Sequence, residues 1–107
     1  LNLEIKPCPG REKETAEVAL DVLSQIWDDH NRLLLSSFQY VSLETCLDMA
    51  GDWHRGFVLP KSEDWPENWR GLIEYLQVSS IHVNGHDISE DEIRMLLEIG
   101  KPLLAYT

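Results

Sequence analysis

The chain contains 107 residues, of which 43% are hydrophobic and 26% are charged, a composition typical of one ordinary globular domain rather than a disordered segment. Nine Lys and Arg residues against 19 Asp and Glu residues give a formal net charge of −10, which argues against binding to nucleic acid or to an anionic membrane surface. The longest apolar run is about four residues, far short of the roughly 20 that a membrane-spanning helix needs.

Strand-like and helix-like segments alternate regularly along the chain. The strand-like segments are short, rich in aliphatic residues and patterned with a period of two, whereas the segments between them repeat apolar residues at helical spacing. The expected strands lie near residues 1–6, 33–37, 55–59, 79–83 and 102–106.

Three amphipathic helices are predicted between the first four strands. The first runs over residues 12–27, where the apolar residues follow the i, i+3, i+4, i+7 rule. The second covers about 40–50, with Gly51 as the residue after its end. The third covers about 66–76, and Pro66 suits its first turn because the helix does not need the missing N–H there.

A fourth helix, before the last strand, has the clearest boundaries. Ser89 is a candidate N-cap and Glu92 stands three residues later, which is the pattern of a capping box. Gly100 and Pro102 then indicate where the helix has ended. Much of the acidic excess is explained by such first turns and by solvated helix faces.

Five strands alternating with four helices, β(αβ)₄, predict a parallel sheet with right-handed crossovers. This order fits either an open doubly wound sheet or part of a (βα)₈ barrel. A doubly wound sheet is covered by helices on both faces, whereas a barrel turns one face to an interior that opens at the active-site mouth. Polar residues share one face in two strands, which favours a partial TIM barrel: Asn2, Glu4 and Lys6 in the first, and Ser80, His82 and Asn84 in the fourth.

In parallel α/β folds the site lies at the carboxyl ends of the strands. Glu4 and Lys6 point to the same face because they are two residues apart. They either neutralise each other or a neighbouring strand, or they provide a carboxylate for a hard divalent cation beside a lysine that binds phosphate. The residues expected at this end of the sheet are Glu4, Lys6, Ser36, Ser37, Phe38, Pro60, Lys61, His82, Asn84, Tyr106 and Thr107.

Several of these candidates also have structural interpretations. Ser36 and Ser37 offer hydroxyls at the mouth or cap the helix that follows. Phe38 lines a pocket or belongs to the core. His82 is favoured as a hydrogen-bonded interior histidine over a general acid, a base or a ligand, since no carboxylate partner is visible in the sequence.

The two cysteines, Cys8 and Cys46, form no disulfide framework and no CxxC pair. Neither has a histidine or basic cluster nearby, so both are expected to be inert thiols. This usage is typical of a reducing compartment, and we expect a cytoplasmic location. The sequence begins with Leu inside one strand-like pattern and stops inside another, so we expect it to be cut at both ends.

The segment NLEIKP at residues 2–7 resembles the N-[IL]-E-I-K-P strand of the glycerophosphodiester phosphodiesterases, a (βα)₈-barrel family, and looks most similar to the bacterial cytoplasmic members. Further stretches agree in order and spacing, at residues 34–38, 78–84 and 104–107; the last is similar to the start of the family's [WY]-T-[VI]-N strand. The resemblance covers essentially the whole chain and implies that residues 1–107 are the carboxy-terminal part of one barrel domain.

The resemblance implies hydrolysis of a small-molecule glycerophosphodiester to glycerol 3-phosphate and an alcohol, with Ca²⁺ or Mg²⁺ held by three carboxylates. Glu4 matches one of the metal ligands and Lys6 matches the lysine that contacts the phosphate. Phe38 matches an aromatic residue beside the glycerol moiety, and Tyr106 matches the aromatic residue of the final barrel strand. The further pocket candidates are Ser37, His82 and Asn84.

The family's two catalytic histidines, its phosphate-binding arginine and its other two metal carboxylates lie upstream of the NLEIKP strand, outside this sequence. Residues 54–56 spell the family's first catalytic motif, His-Arg-Gly, but here the triplet opens a middle strand and faces the opposite end of the barrel. We therefore interpret His54 and Arg55 as loop residues. We expect no catalytic residue in this chain, no useful turnover by it alone, and a need for the amino-terminal half of the barrel.

Two other hypotheses stay open at this point. One is a non-catalytic half-barrel that binds a partner through its acidic surface. The other is a barrel hydrolase that acts on a different phosphodiester. A His-Arg-Gly strand end followed by an E-x-D pair upstream of residue 1 would support the enzyme over the interaction module.

Overall fold

The computed structural model describes residues 1–106; Thr107, one of the predicted mouth residues, lies outside the described residues. Five parallel strands form a single curled sheet in which each strand pairs with the next one along the chain. Since the order never reverses, the sheet winds in one direction as in a (βα)₈ barrel, and the doubly wound alternative is wrong. The strands are β1 (Asn2–Glu4), β2 (Leu34–Ser37), β3 (His54–Val58), β4 (Ser80–Asn84) and β5 (Leu103–Tyr106).

Helices connect consecutive strands, and the predicted β(αβ)₄ order is confirmed. Short 3₁₀ turns at His30–Arg32 and Ser62–Asp64 add to the connections before β2 and before the third helix. Within residues 1–106 no helix combines the length and the apolarity needed to cross a membrane. The helices are α1 (Glu12–Ile26), α2 (Tyr40–Met49), α3 (Trp69–Tyr75) and α4 (Glu90–Leu97).

The predicted start of α3 is wrong by three residues. The helix begins at Trp69 rather than at Pro66, and Asn68 occupies the N-cap position. Trp65 before it is extended (φ −61°, ψ 137°), as the residue before a proline usually is. Pro66 therefore belongs to the turn that leads into the helix, where its carbonyl accepts from the Trp69 N–H at 3.1 Å.

The boundaries predicted for α4 are confirmed. The Glu92 N–H donates to Ser89 Oγ at 3.1 Å, and the Ser89 N–H donates to Glu92 Oε1 at 2.9 Å, so both arms of the capping box are present. Gly100 after the helix has φ +83°, a conformation that glycine adopts without steric cost.

The core lies between the convex face of the sheet and the helices. Apolar side chains at alternate strand positions point to that side, so the period of two in the sequence decides which residues are buried. One cluster lies under α1 and α2, and the other lies under α3 and α4 and includes Leu43 of α2. The first contains Ile5, Leu20, Leu23, Leu33, Leu35 and Cys46, and the second contains Leu43, Phe57, Leu59, Ile73, Leu76, Ile81, Val83 and Leu96.

His54 and Arg55 are strand residues, and their interpretation as loop residues is wrong. Both lie at the amino end of β3, the end of the sheet opposite the predicted mouth. Arg55 is 3% exposed. Its guanidinium donates hydrogen bonds to backbone carbonyls at the ends of neighbouring segments, where carbonyls lack a regular backbone partner. Nε donates to the carbonyl of Leu76 (3.0 Å), Nη1 to those of Gly51 (3.0 Å) and Trp53 (2.8 Å), and Nη2 to that of Gln77 (3.0 Å).

Candidate active site

A depression of about 460 Å³ opens on the concave face of the sheet, towards the carboxyl ends of the strands. The side chains that form it come from β1, β3, β4, β5 and from the segments after β1 and β2. It brings together five residues that the sequence marks as candidates and that come from four separate segments of the chain: Glu4, Lys6, Phe38, His82 and Tyr106. Asn2, Val58 and Ala105 complete the lining.

Glu4 and Lys6 contribute the charge of the depression. Glu4 is the last residue of β1, Lys6 follows two residues later, and both are exposed. Among residues 1–106 the two side chains form no ion pair with each other, and neither forms a hydrogen bond. The structure therefore does not show the mutual neutralisation that the sequence left open, and both charges are available to a ligand.

Phe38 and Tyr106 form an aromatic wall of the depression. Their rings meet edge to face, with centroids 5.8 Å apart and planes at 86°. Tyr106 Oη donates to the carbonyl of Leu59, just beyond β3, at 2.7 Å, which fixes the ring against the neighbouring strands. Burial raises the pKa of Tyr106, and the nearby carboxylates of Glu4 and Asp87 raise it further, so the hydroxyl stays protonated as a donor.

His82 is part of the floor of the depression and is only 6% exposed. Its Nε2 lies 2.9 Å from Ser80 Oγ, so the predicted interior histidine is present, with a hydroxyl as its partner. Burial lowers the pKa of His82, and the Glu4 carboxylate opposes that shift in part. The imidazole is therefore neutral near pH 7.

Sequence reasoning missed the part that Gly56 plays beneath this histidine. A Cβ placed on Gly56 would lie 2.5 Å from His82 Nε2 and 3.1 Å from Ser80 Oγ, so only glycine leaves room for the ring. Gly56 pairs with Ser80 in the register of β3 and β4. The pairing of Gly56 with Ser80 would have been a signal for this fit, but it is known only once the two strands are aligned.

Ser37 does not line the depression. It pairs in register with Phe57, a core residue on the helix side of the sheet, and it is fully buried. Its Oγ donates to the carbonyl of Ile5 at 2.7 Å and accepts from the N–H of Gln39 at 3.1 Å. The hydroxyl thus holds the turn before α2 in place.

Ser36 and Asn84 use their polar atoms within the protein. Ser36 Oγ donates to Asn2 Oδ1 at 2.8 Å across β1 and β2. Asn84, at the end of β4, accepts from the N–H of His86 at 3.0 Å and shapes the turn that follows. Neither residue lines the depression.

Among residues 1–106, Glu4 is the only carboxylate in the lining of the depression. Ca²⁺ takes six to eight oxygen ligands and Mg²⁺ takes six, several of which must come from charged or carbonyl groups. In the part of the chain that the structure describes, no three His, Cys, Asp or Glu residues are grouped so that they could hold a metal ion. These residues fit one ligand of a divalent-cation site, and its other ligands would have to come from outside them.

Comparison of the sequence with models of known families and with curated proteins gives no match. Solved structures do match over the whole chain. A phosphodiesterase from Oleispira antarctica, solved with its product sn-glycerol 3-phosphate, superposes with a TM-score of 0.85 at 31% identity, over 100% of this chain and 42% of that protein. A putative glycerophosphoryl diester phosphodiesterase from Silicibacter pomeroyi gives 0.79 at 17% identity, over 100% and 39%.

A putative glycerophosphodiester phosphodiesterase from Galdieria sulphuraria gives a TM-score of 0.77 at 15% identity, over 98% of this chain and 42% of that protein. At these lower identities the similarity shows the fold alone. The chain spans about two fifths of the length of these proteins.

Proposed function

We propose that this chain, which has the fold of a fragment of a glycerophosphodiester phosphodiesterase barrel, supplies part of an active site that hydrolyses glycerophosphodiesters to glycerol 3-phosphate and an alcohol. The observation that carries the proposal is the match over the whole chain, at 31% identity, to a phosphodiesterase solved with glycerol 3-phosphate. In this proposal residues 1–107 are the carboxy-terminal part of one barrel domain. Below, the term complete barrel means the protein that contains this chain together with the part of the barrel that precedes it.

Lys6 is the phosphate-binding residue of this part of the site. Its ammonium group lines the depression and has no protein partner among residues 1–106. A phosphodiester is an anion, and negative charge on its oxygens increases as the nucleophile attacks. A fixed cation beside those oxygens therefore stabilises the transition state more than the ground state.

Glu4 is one carboxylate ligand of a divalent cation, Ca²⁺ or Mg²⁺, and the other ligands come from the preceding part of the barrel. Its carboxylate faces the same depression as Lys6 and is free of hydrogen bonds within residues 1–106, as a ligand for a hard cation needs to be. When bound, such a cation acts as a Lewis acid on the phosphoryl oxygens. Glu4 is then the residue that joins this chain to the metal.

The wall formed by Phe38 and Tyr106 is where the carbon skeleton of the glycerol moiety packs. The two rings are held by their edge-to-face contact and by the Tyr106 hydrogen bond, so they present a fixed apolar surface. Such a surface excludes water from one side of the substrate and leaves its polar groups directed at the charged side of the depression.

In this proposal the general acid and base of the reaction come from the preceding part of the barrel. Glu4 is assigned to the metal, and His82 is a neutral imidazole that already contacts Ser80. The catalytic histidines therefore belong to the preceding part of the barrel, and this chain alone does not turn over.

Both cysteines are free, Cys8 exposed and Cys46 buried, which supports a reducing, cytoplasmic compartment for the complete protein.

A release assay tests the proposal. The complete barrel and the isolated 107-residue chain are each given glycerophosphocholine and glycerophosphoethanolamine, with and without EDTA, and glycerol 3-phosphate is measured enzymatically. We expect release by the complete barrel that EDTA abolishes and that added Ca²⁺ or Mg²⁺ restores, and no release by the isolated chain. A complete barrel that hydrolyses neither diester, or an isolated chain that does so in a metal-dependent way, contradicts the proposal.

A further inference from the structure

His82 is the one titratable side chain of the depression to which the proposed function gives no role. The structure fixes it in place from two sides. Ser80 Oγ holds Nε2 at 2.9 Å, and the ring lies so close over Gly56 that a Cβ there would be 2.5 Å from Nε2 and 3.1 Å from Cε1. A ring held by a hydrogen bond and by contact with the backbone presents its other nitrogen in a constant direction.

The other nitrogen, Nδ1, has no hydrogen-bond partner among residues 1–106. Within residues 1–106 every fully buried side-chain nitrogen or oxygen has a hydrogen-bond partner. Nδ1 of His82 makes no hydrogen bond to any of these residues. The cavity that the His82 side chain lines is the depression, so a ligand held there lies beside this ring.

The chemistry of Nδ1 limits what it binds there. Burial lowers the pKa of His82 and so favours its neutral form, and Lys6 already supplies the attraction for phosphate. The hydroxyls beside it are used within the protein, that of Tyr106 by the Leu59 carbonyl and that of Ser80 by His82 itself. Nδ1 is thus a neutral hydrogen-bonding atom at the end of a rigid ring, suited to a neutral partner such as an alcohol.

We infer that His82 is a substrate-contacting specificity residue, which forms a hydrogen bond through Nδ1 to a hydroxyl group of the polyol part of the substrate. This inference rests on the proposed function and deepens it. In this inference the aromatic wall packs against the carbon skeleton of that polyol, and His82 forms a hydrogen bond with one of its hydroxyl groups. The site then selects phosphodiesters of a hydroxylated alcohol over phosphodiesters that lack hydroxyls.

Two substrates separate this role from a structural one. Glycerophosphocholine carries glycerol hydroxyls, whereas bis(p-nitrophenyl) phosphate is a phosphodiester without them. The complete barrel is assayed on both as wild type, His82→Gln, His82→Asn and, as the control, His86→Gln in the exposed turn after β4. Gln places its amide near the position of Nε2 and keeps the contact with Ser80, whereas Asn places its amide near the position of Nδ1.

For His82→Gln we expect kcat/KM on glycerophosphocholine to fall by about 10-fold, mainly through KM, as for the loss of one hydrogen bond, with less than about a 2-fold change on bis(p-nitrophenyl) phosphate. For His82→Asn we expect kcat/KM on glycerophosphocholine to return most of the way to the wild-type value. For His86→Gln we expect kcat/KM to be unchanged on both substrates. Equal losses on both substrates, or no loss on either, overturn the inference. A wild type inactive on glycerophosphocholine overturns the proposed function and this role with it.

A measurement on the wild-type protein covers the case in which the variants do not fold. The ¹⁵N resonance of His82 Nδ1 is followed while glycerol 3-phosphate or inorganic phosphate is added to the complete barrel in the presence of the cation. We expect the resonance to shift with glycerol 3-phosphate and to stay in place with inorganic phosphate. A resonance that moves with neither, or equally with both, overturns the inference.

Discussion

Lys6 and Arg55 are two cations of the same sheet, but they lie at its opposite ends and their surroundings differ. Lys6, after the carboxyl end of β1, is exposed, lines the depression and has no partner among residues 1–106. Arg55, at the amino end of β3, is buried and donates four hydrogen bonds to backbone carbonyls. Arg55 thus holds neighbouring segments together, whereas Lys6 is the cation that we propose binds the substrate phosphate.

This comparison explains why the letters His-Arg-Gly do not mark a catalytic motif here. At the amino end of a barrel strand a polar residue stabilises the fold, whereas at the carboxyl end it is in reach of a substrate. Within the triplet, His54 and Arg55 face the stabilising end, and Gly56 makes room for His82. Whether a polar residue lies at the amino or the carboxyl end of its strand therefore says more about its role than the residue type does.

The largest effect on stability is expected for Arg55→Met. The substitution removes four hydrogen bonds, one of them buried and three partly buried. A buried carbonyl left without a donor costs about 1–3 kcal/mol, so the free energy of unfolding should fall by about 3 kcal/mol or more. Urea unfolding of the complete barrel measures it. Arg94→Met is the control, since Arg94 makes only an exposed ion pair with Glu90 and should lose far less. An equal loss in free energy of unfolding for the two variants would contradict the stabilising role of Arg55 at the amino end of the sheet.

Gly56→Ala should have the next largest effect. Its new Cβ would overlap the His82 ring, and forcing extra atoms into a packed position costs about 1–3 kcal/mol. Gly71→Ala in α3 is the matched control, because nothing lies within 4 Å of the Cβ it adds and alanine is the better helix former. The two variants should therefore change the free energy of unfolding in opposite directions. A stabilised Gly56→Ala protein would show that the ring is not packed as described.

Tyr106→Phe is expected to lose about 1 kcal/mol of stability, the usual contribution of one hydrogen bond, here the 2.7 Å bond to the Leu59 carbonyl. The ring and its contact with Phe38 remain, so the apolar wall is kept. Thermal unfolding and the KM for glycerophosphocholine are compared in the same preparation. A large rise in KM without loss of stability would instead give the hydroxyl a direct role in binding.

Lys6→Met should have the smallest effect on stability and a large effect on function. Its ammonium group has no partner to lose within residues 1–106, so the free energy of unfolding should change by less than about 0.5 kcal/mol. Release of glycerol 3-phosphate should fall at least about 100-fold, in the range found when one fixed group that stabilises transition-state charge is removed. A destabilised but active variant would reverse the assignment of Lys6.

Period-two and helical patterns were sufficient to predict the sheet, its strand order and the capping box at Ser89. They failed where the outcome depends on partners from distant segments. The Arg55 side chain is buried because carbonyls of four other residues accept its hydrogen bonds, which one stretch of sequence does not reveal. Ser37 has the same strand phase as the buried Leu33 and Leu35, but the three consecutive leucines at 33–35 show no alternation from which that phase could be predicted. The fit of Gly56 under His82 depends on a side-chain conformation and was beyond prediction.

Cation binding by the complete barrel tests the central claim most directly, namely that the carboxyl end of the sheet is the functional end and that Glu4 connects it to the metal. Ca²⁺ and Mg²⁺ are titrated by calorimetry into the wild type, Glu4→Gln and, as a control, Glu74→Gln on the exposed face of α3. We predict that Glu4→Gln weakens binding by at least about 10–100-fold and that Glu74→Gln leaves it unchanged. Unaltered affinity in Glu4→Gln would contradict the account.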